Sequence, residues 1–211
     1  MPYTPTYRPY GLDDPEKRTI RNPRIKDWAT FTKYGIETDG KEFTIRCLVK
    51  PGGGAIMHRH GSYSETLTCV SGTMGVEKGW GKTAKVAYLQ PGEHVFIAAG
   101  EWHKFFNPSK TEEFVFDGSV TPAHEGFEMA LYIVYGLAED GLSDDEGLPR
   151  SFLANCIFIS MSDMEFPNWG MWLLGKVANV FAVWGDWSGE KARLIRRYYG
   201  TPIEKKNKKE L

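Results

Sequence analysis

Charge of one sign is missing in excess: 26 basic residues stand against 27 acidic ones in a chain of 211, a formal net charge of −1. That balance gives no long-range field for nucleic acid or anionic lipid. No helix-turn-helix or basic reading segment is present either, which excludes a nucleic-acid partner. Cysteine is scarce. Cys47, Cys69 and Cys156 are odd in number and have no paired spacing, so free, reduced thiols are expected. The opening MPYTPTYRPYGLDDPEKR holds no apolar stretch, which argues against a secretory signal and for a cytoplasmic protein. A long hydrophobic run is also lacking: MWLLGKVANVFAVWGDW, residues 171–187, is broken by Lys176 and Asn179 and falls short of the ~20 apolar residues of a membrane span. No span is predicted, and this run should pack on the body of the protein or on a second subunit.

What is present is a sizeable apolar complement, 41% hydrophobic and 14% aromatic, sufficient for a real core. Five prolines before Arg24 rule out a long N-terminal helix, so residues 1–27 read as an arm laid over the body. From Trp28 to Pro122 short β-branched and aromatic runs alternate with Gly, Pro and Asn, the pattern of a sandwich or barrel. After Pro122 the period changes. Phe127, Leu131, Val134, Tyr135 and Ala138 recur at helical steps before Gly141, and three further helices are predicted within 150–200. The expected order is therefore arm (1–27), β-barrel (28–122), helical extension (123–203) and charged tail (204–211).

The informative stretch is GGGAIMHRHGSYSETLTCVSG, residues 52–72. In a strand alternate residues share a face, so His58 and His60 reach the same point in space. Glu65 arrives from the next strand, and His103 from HKFFN, whose approach is turned by glycines. Three imidazoles and one carboxylate suit Fe, Mn, Ni, Zn or Cu, and in an octahedral arrangement they leave two positions open. Four buried ionisable groups with no ion would be costly, which favours a metal over mutual pairing. His94 has the opposite parity to Val95 and Ile97 and is expected on the surface. His124, Glu125 and Glu128 fit the start of a helix, although Glu128 and Tyr63 are also weak candidates for an acid or base.

These residues resemble the two motifs of the cupin superfamily, in particular its small, metal-binding, quercetinase-like or uncharacterised members. Gly52, His58, His60, Glu65 and Gly72 satisfy every spacing of the first motif. Gly92, Gly100, His103 and Asn107 fit the second, with Ala98 where proline is usual. The resemblance implies an all-β fold with added helices, a double-stranded β-helix (jelly-roll) barrel followed by C-terminal α-helices. It also implies a divalent metal, iron foremost, held by His58, His60, Glu65 and His103, and a homodimer. The activity it suggests is an oxygenase acting on a small aromatic or enolic molecule, with Glu65, Tyr63 and Glu128 as candidate catalytic residues and Phe105, Leu67, Val95 and Ile97 lining an apolar pocket. Metal-dependent isomerisation, cyclisation, lyase or decarboxylase chemistry is the alternative, and non-enzymatic binding of a small molecule is a third reading.

Overall fold

The strands of the barrel form where β-branched and aromatic residues alternate with polar ones. In FVFDGSVT, residues Phe114, Phe116, Gly118 and Val120 are buried while Val115, Asp117 and Ser119 turn outward. The computed structural model describes residues 3–167 and 169–204, apart from the side chains of Trp169, Met171, Trp172 and Leu174; residues 205–211 of the expected charged tail lie outside the described residues.

In chain order the strands are β1 (Tyr7–Pro9), β2 (Thr19–Asn22), β3 (Asp27–Lys33), β4 (Phe43–Val49), β5 (Arg59–His60), β6 (Ser64–Ser71), β7 (Met74–Lys78), β8 (Lys85–Leu89), β9 (His94–Ile97), β10 (His103–Phe106), β11 (Phe114–Thr121), β12 (Met164–Glu165) and β13 (Gly200–Pro202). Six of them make an antiparallel sheet in the order β2-β3-β4-β11-β6-β9, and β10-β7-β8 make a second sheet. Bridges from Gly54 to Phe106 and from His58 to His103 lay the 54–58 segment along β10. The result is the expected double-stranded β-helix. Gly72 closes the β6–β7 turn at φ 73°, where a Cβ would stand 2.6 Å from the Glu113 carbonyl oxygen, so no other residue fits without movement.

The segment 1–27 does more than drape over the surface. Its residues 19–22 form the edge strand β2, paired with β3, and Tyr7–Pro9 pair with β13 at the other end of the chain. Three- and four-residue strands give too short a period to be read from sequence.

The helices are α1 (Glu125–Glu139), α2 (Phe152–Met161), α3 (Trp169–Trp187) and α4 (Glu190–Tyr198), at the four places expected. His124 caps α1, its Nδ1 accepting the Phe127 amide at 3.1 Å. At the far end the Leu142 amide returns to the Leu137 carbonyl at 2.8 Å, with Gly141 at φ 72°. Ser151 Oγ caps α2 by accepting from the Ala154 amide. α1 is apolar on most sides because it is a middle layer, packed against β2, α2 and α4. Phe31 joins barrel to helices, stacking on Tyr34 at 5.2 Å and meeting Tyr132 of α1 at 4.9 Å. Burial of each such ring contributes about 1.5–3 kcal/mol.

α3 lies against α2 and α4, with Ala178 and Ala182 buried, and also meets β12, the strand paired with β5. Its outer side keeps Val180, Val183 and Trp187 exposed at 70%, 68% and 84%. No helix among the described residues is long and apolar enough to cross a membrane. All three cysteines are buried and free.

Candidate metal centre

Strand parity brings the two histidines together as expected, and the main chain adds a third. His58 and His103 exchange backbone hydrogen bonds at 2.9 and 2.8 Å, which stacks the 58–60 segment on the start of β10. Ring centroids are then 4.7 Å apart for His58 and His60, 4.3 Å for His58 and His103, and 5.6 Å for His60 and His103. Glu65 enters from β6. One ligand atom from each of His58, His60, Glu65 and His103 lies within 4.8 Å of the others.

The tautomer of each ring is fixed from behind. His58 Nδ1 is 2.7 Å from the Ile56 carbonyl oxygen, His60 Nδ1 is 2.9 Å from that of Ser162, and His103 Nδ1 is 2.9 Å from that of Glu101. A carbonyl accepts only, so Nδ1 carries the proton in each ring and Nε2 presents a lone pair. His60 Nε2 and His103 Nε2 are buried with no hydrogen-bond partner. His103 Nε2 stands 2.8 Å from Glu65 Oε2, close enough to attract a shared cation but at an angle that makes no hydrogen bond. Two acceptors at that distance repel unless a positive charge lies between or beside them. Backbone bonds of this kind at Nδ1 are also what holds metal-ligating imidazoles in place.

Electrostatics in the cluster follow from burial and mutual proximity. Burial, with help from the neighbouring imidazoles, pushes His58 down to about 3 and lowers His60 as well. Burial also acts to lower His103, but the adjacent Glu65 carboxylate overrides it and raises the value. For Glu65 burial acts upward, and the three imidazoles outweigh it to hold the carboxyl below its ordinary range. His58 and His60 held neutral and Glu65 held ionised offer lone pairs and a negative charge to a divalent transition ion, and His103 adds a third imidazole once an ion displaces its proton.

The cluster opens on a cavity of about 220 Å³ that is lined by His58, Glu65 and His103, and whose remaining wall is largely apolar. Leu67 and Phe105 lie on it, as expected. Val95 and Ile97 do not: Val95 faces a separate depression near Val76 and Lys78, and Ile97 is buried in the core. The reason is topological: Val95 and Ile97 pair with Leu67 and Glu65 and share their face, but β9 is the edge strand beyond β6 and lies one strand further from the cavity.

Tyr63 and Glu128 are placed elsewhere. The Tyr63 hydroxyl donates to the Ser162 carbonyl at 2.8 Å and lies 2.7 Å from His60 Nδ1, its ring stacked on the imidazole at 4.5 Å. It stands behind a ligand, outside the cavity wall. Glu128 is fully buried between helices and the 34–38 turn. Its Oε1 accepts the Gly35 amide and its Oε2 the Tyr199 hydroxyl, both at 2.8 Å. Burial pushes Glu128 up to about 8, and it reaches neither the cluster nor the cavity. His94 is exposed, as its parity predicts.

The departure at Ala98 also has a structural account. The Ala98 amide donates to Glu101 Oε2 at 3.1 Å, and Glu101 in turn meets Lys78 at 3.0 Å. A proline could not supply that donor. Asn107 is buried and donates to the carbonyls of Val49 and Glu112, tying the end of β10 to its neighbours.

Two groups of residues escape sequence reasoning. Phe127, Leu131 and Tyr135, at i, i+4 and i+8 on α1, form one stripe along the cavity; the spacing was visible, its destination was not. Asp163, just after α2, accepts from the amides of Gly61 and Ser62 and from Ser62 Oγ, and so clamps the loop between His60 and Glu65.

Residues 45–120 match the family model described as a cupin domain. Among solved structures, the chain is similar to an uncharacterised conserved protein with a double-stranded β-helix domain from Klebsiella pneumoniae, at 21% identity and TM-score 0.42, over 50% of this chain and 85% of that one. It is also similar to the polyketide cyclase RemF from Streptomyces resistomycificus, at 19% identity and TM-score 0.39, over 45% and 64% of the two chains. A sugar phosphate isomerase from Silicibacter pomeroyi aligns at 17% identity and TM-score 0.39, over 46% and 60%. No curated protein matches the chain.

Proposed function

Starting from the cupin domain carried by residues 45–120, we propose that the chain is a mononuclear metal-dependent enzyme that oxidises a small aromatic or enolic molecule with dioxygen. One observation carries the reading: the buried, partnerless Nε2 atoms of His60 and His103 are grouped with His58 and an ionised Glu65, and His58, Glu65 and His103 stand at the wall of an apolar cavity. His58, His60, Glu65 and His103 would hold the ion, iron foremost, with Mn, Ni, Zn or Cu as alternatives. Such an ion, when bound, supplies positive charge and exchangeable coordination positions.

The chain's own residues prepare that end of the cavity. Backbone carbonyls hold the three imidazoles in one tautomer, and Glu65 brings the single negative charge. Leu67, Phe105 and Phe127 exclude water and offer a surface for a planar, apolar substrate. Isomerase, cyclase, lyase or decarboxylase chemistry needs a separate acid or base near the substrate. Among the described residues Glu65 is the only carboxylate grouped with the histidines, and neither Tyr63 nor Glu128 lines the cavity, which favours oxidation at the metal end over those readings. A cytoplasmic homodimer, joined through the exposed side of α3, belongs to the same proposal.

Metal analysis of protein purified without chelator, followed by dioxygen-uptake assays with catechols and enolic compounds, tests the reading. The wild type is expected to carry about one ion per chain and to consume dioxygen with some of these compounds. His58→Ala with His60→Ala should lose both. Undiminished metal in that double variant rejects the site, and metal uptake without turnover on any compound favours a binding protein.

A further inference from the structure

Away from the histidines, the cavity contains a polar pair that the proposed chemistry leaves unused. Tyr135, the last residue of the α1 stripe, lines the cavity, and its hydroxyl has no hydrogen-bond partner among the described residues. Burial, with the nearby Cys47 and Asp27 adding to it, raises that hydroxyl far above the ordinary phenol value. Asp27, at the start of β3, lines the same cavity. Its Oδ1 accepts the Lys50 amide at 3.0 Å, while Oδ2 has no partner among the described residues. Neither atom is among the fully enclosed polar atoms without a partner, so both remain open to the cavity and available to a ligand.

Distance separates this pair from the histidines. Asp27 Oδ2 lies 3.7 Å from the point where a Cβ on Gly53 would stand, and the Gly53 carbonyl accepts the Asn107 amide. His103 is the first residue of β10 and Asn107 follows its last, so the two groups lie toward opposite ends of that strand.

We propose that Tyr135 and Asp27 form a distal recognition point that binds the hydroxyl of an elongated ligand whose other end is a metal-coordinating carboxylate or enolate. The proposal rests on the reading of His58, His60, Glu65 and His103 as a metal centre. The ligand hydroxyl accepts from Tyr135 and donates to Asp27, satisfying both. A ligand that meets both must therefore be elongated, spanning most of β10. One aromatic ring with a short acidic side chain has that reach. The cavity volume of about 220 Å³ accommodates such a body, being larger than the ~150 Å³ apolar cavity that takes up benzene. Phe105, Phe116 and Leu131 supply the apolar contacts between the two ends.

The test is calorimetric titration of the zinc-loaded full chain with trans-4-hydroxycinnamate and trans-cinnamate, which differ only in the distal hydroxyl. The wild type is expected to bind the hydroxylated acid about five- to tenfold more tightly, the worth of one or two net hydrogen bonds. Tyr135→Phe and Asp27→Asn should each reduce that preference to within about twofold and leave cinnamate affinity unchanged. Tyr135→Phe should melt no lower than the wild type, since the hydroxyl it removes has no partner. Equal affinity of the wild type for the two acids, binding of neither, or a preference that survives in both variants overturns the distal point, with zinc stoichiometry left as a separate measure of the metal centre. A Tyr135-dependent preference that persists in His58→Ala with His60→Ala, unchanged by zinc, supports the distal point and overturns its link to a metal.

Discussion

His60 Nδ1 and the carbonyl oxygen of Ser162 lie 2.9 Å apart, so the last turn of α2 fixes the ring of a histidine on β5. The helical extension thereby takes part in the cluster. β12 pairs with β5, matching Met164 with His60, and Arg59 binds Glu165 at 2.6 Å.

Tyr63 stacks on that imidazole and shares its carbonyl partner. Tyr63→Phe should therefore weaken metal binding by roughly tenfold, the lower end of what loss of a supporting hydrogen bond to a ligand costs. Competition with a chromophoric chelator measures it. Unchanged metal affinity with reduced turnover would instead restore Tyr63 to a direct role in catalysis.

Glu65 supplies the only negative charge among the four grouped side chains. Glu65→Gln keeps the size and one oxygen but removes the charge, so metal affinity should fall by at least tenfold while far-ultraviolet circular dichroism stays that of the wild type. Iron- or copper-loaded wild type should also shift its absorption on adding a catechol, and the variant should not. An unshifted wild-type spectrum would reject open coordination positions.

Glu128 governs a pH effect unrelated to the cavity. Burial raises its folded-state value to about 8, above the ordinary carboxyl value of 4.5. Between those values the folded state holds a proton that the unfolded chain releases, so this group's contribution to stability is complete below pH ~4.5 and declines as pH rises toward ~8. Glu128→Gln stays neutral and can still accept from Gly35, so it should be more stable than the wild type at pH 8 by on the order of 2–4 kcal/mol and nearly equal at pH 5. Denaturant titrations at the two pH values measure the difference. Metal affinity should not change.

Val183 and Trp187 expose apolar surface on α3. If this side joins two copies, Val183→Glu should halve the mass found by light scattering at micromolar concentration without lowering the melting temperature of the monomer. A wild type that is already monomeric rules the homodimer out.

Much of the cluster was legible because its determinants are local. The His58–His60 parity, the step to Glu65 and the glycine-turned approach of His103 depend on strand geometry within a few dozen residues. The helices were legible for the same reason, with His124 and Gly141 marking the two ends of α1. Residues whose roles depend on docking were not. The contact of Tyr63 with Ser162 spans 99 positions of sequence, and Glu128 looks like an ordinary helix-start charge until Gly35 and Tyr199 close over it. Val95 and Ile97 have the parity expected of a cavity wall, but parity says only which face of a strand a residue takes. How far across that face the cavity extends depends on the order of strands in the sheet, and β9 lies beyond its edge.

The pairing of Tyr7 with Pro202 and Pro9 with Gly200 turns the chain into a closed belt. Barrel and helices are buckled together by a short ladder rather than hanging as two beads on a thread. A belt can be cut at another point if the buckle is sewn shut. Joining the two paired ends by a short linker and opening the exposed Gly81–Thr83 turn instead should yield a permuted chain with the same barrel and the same histidine cluster.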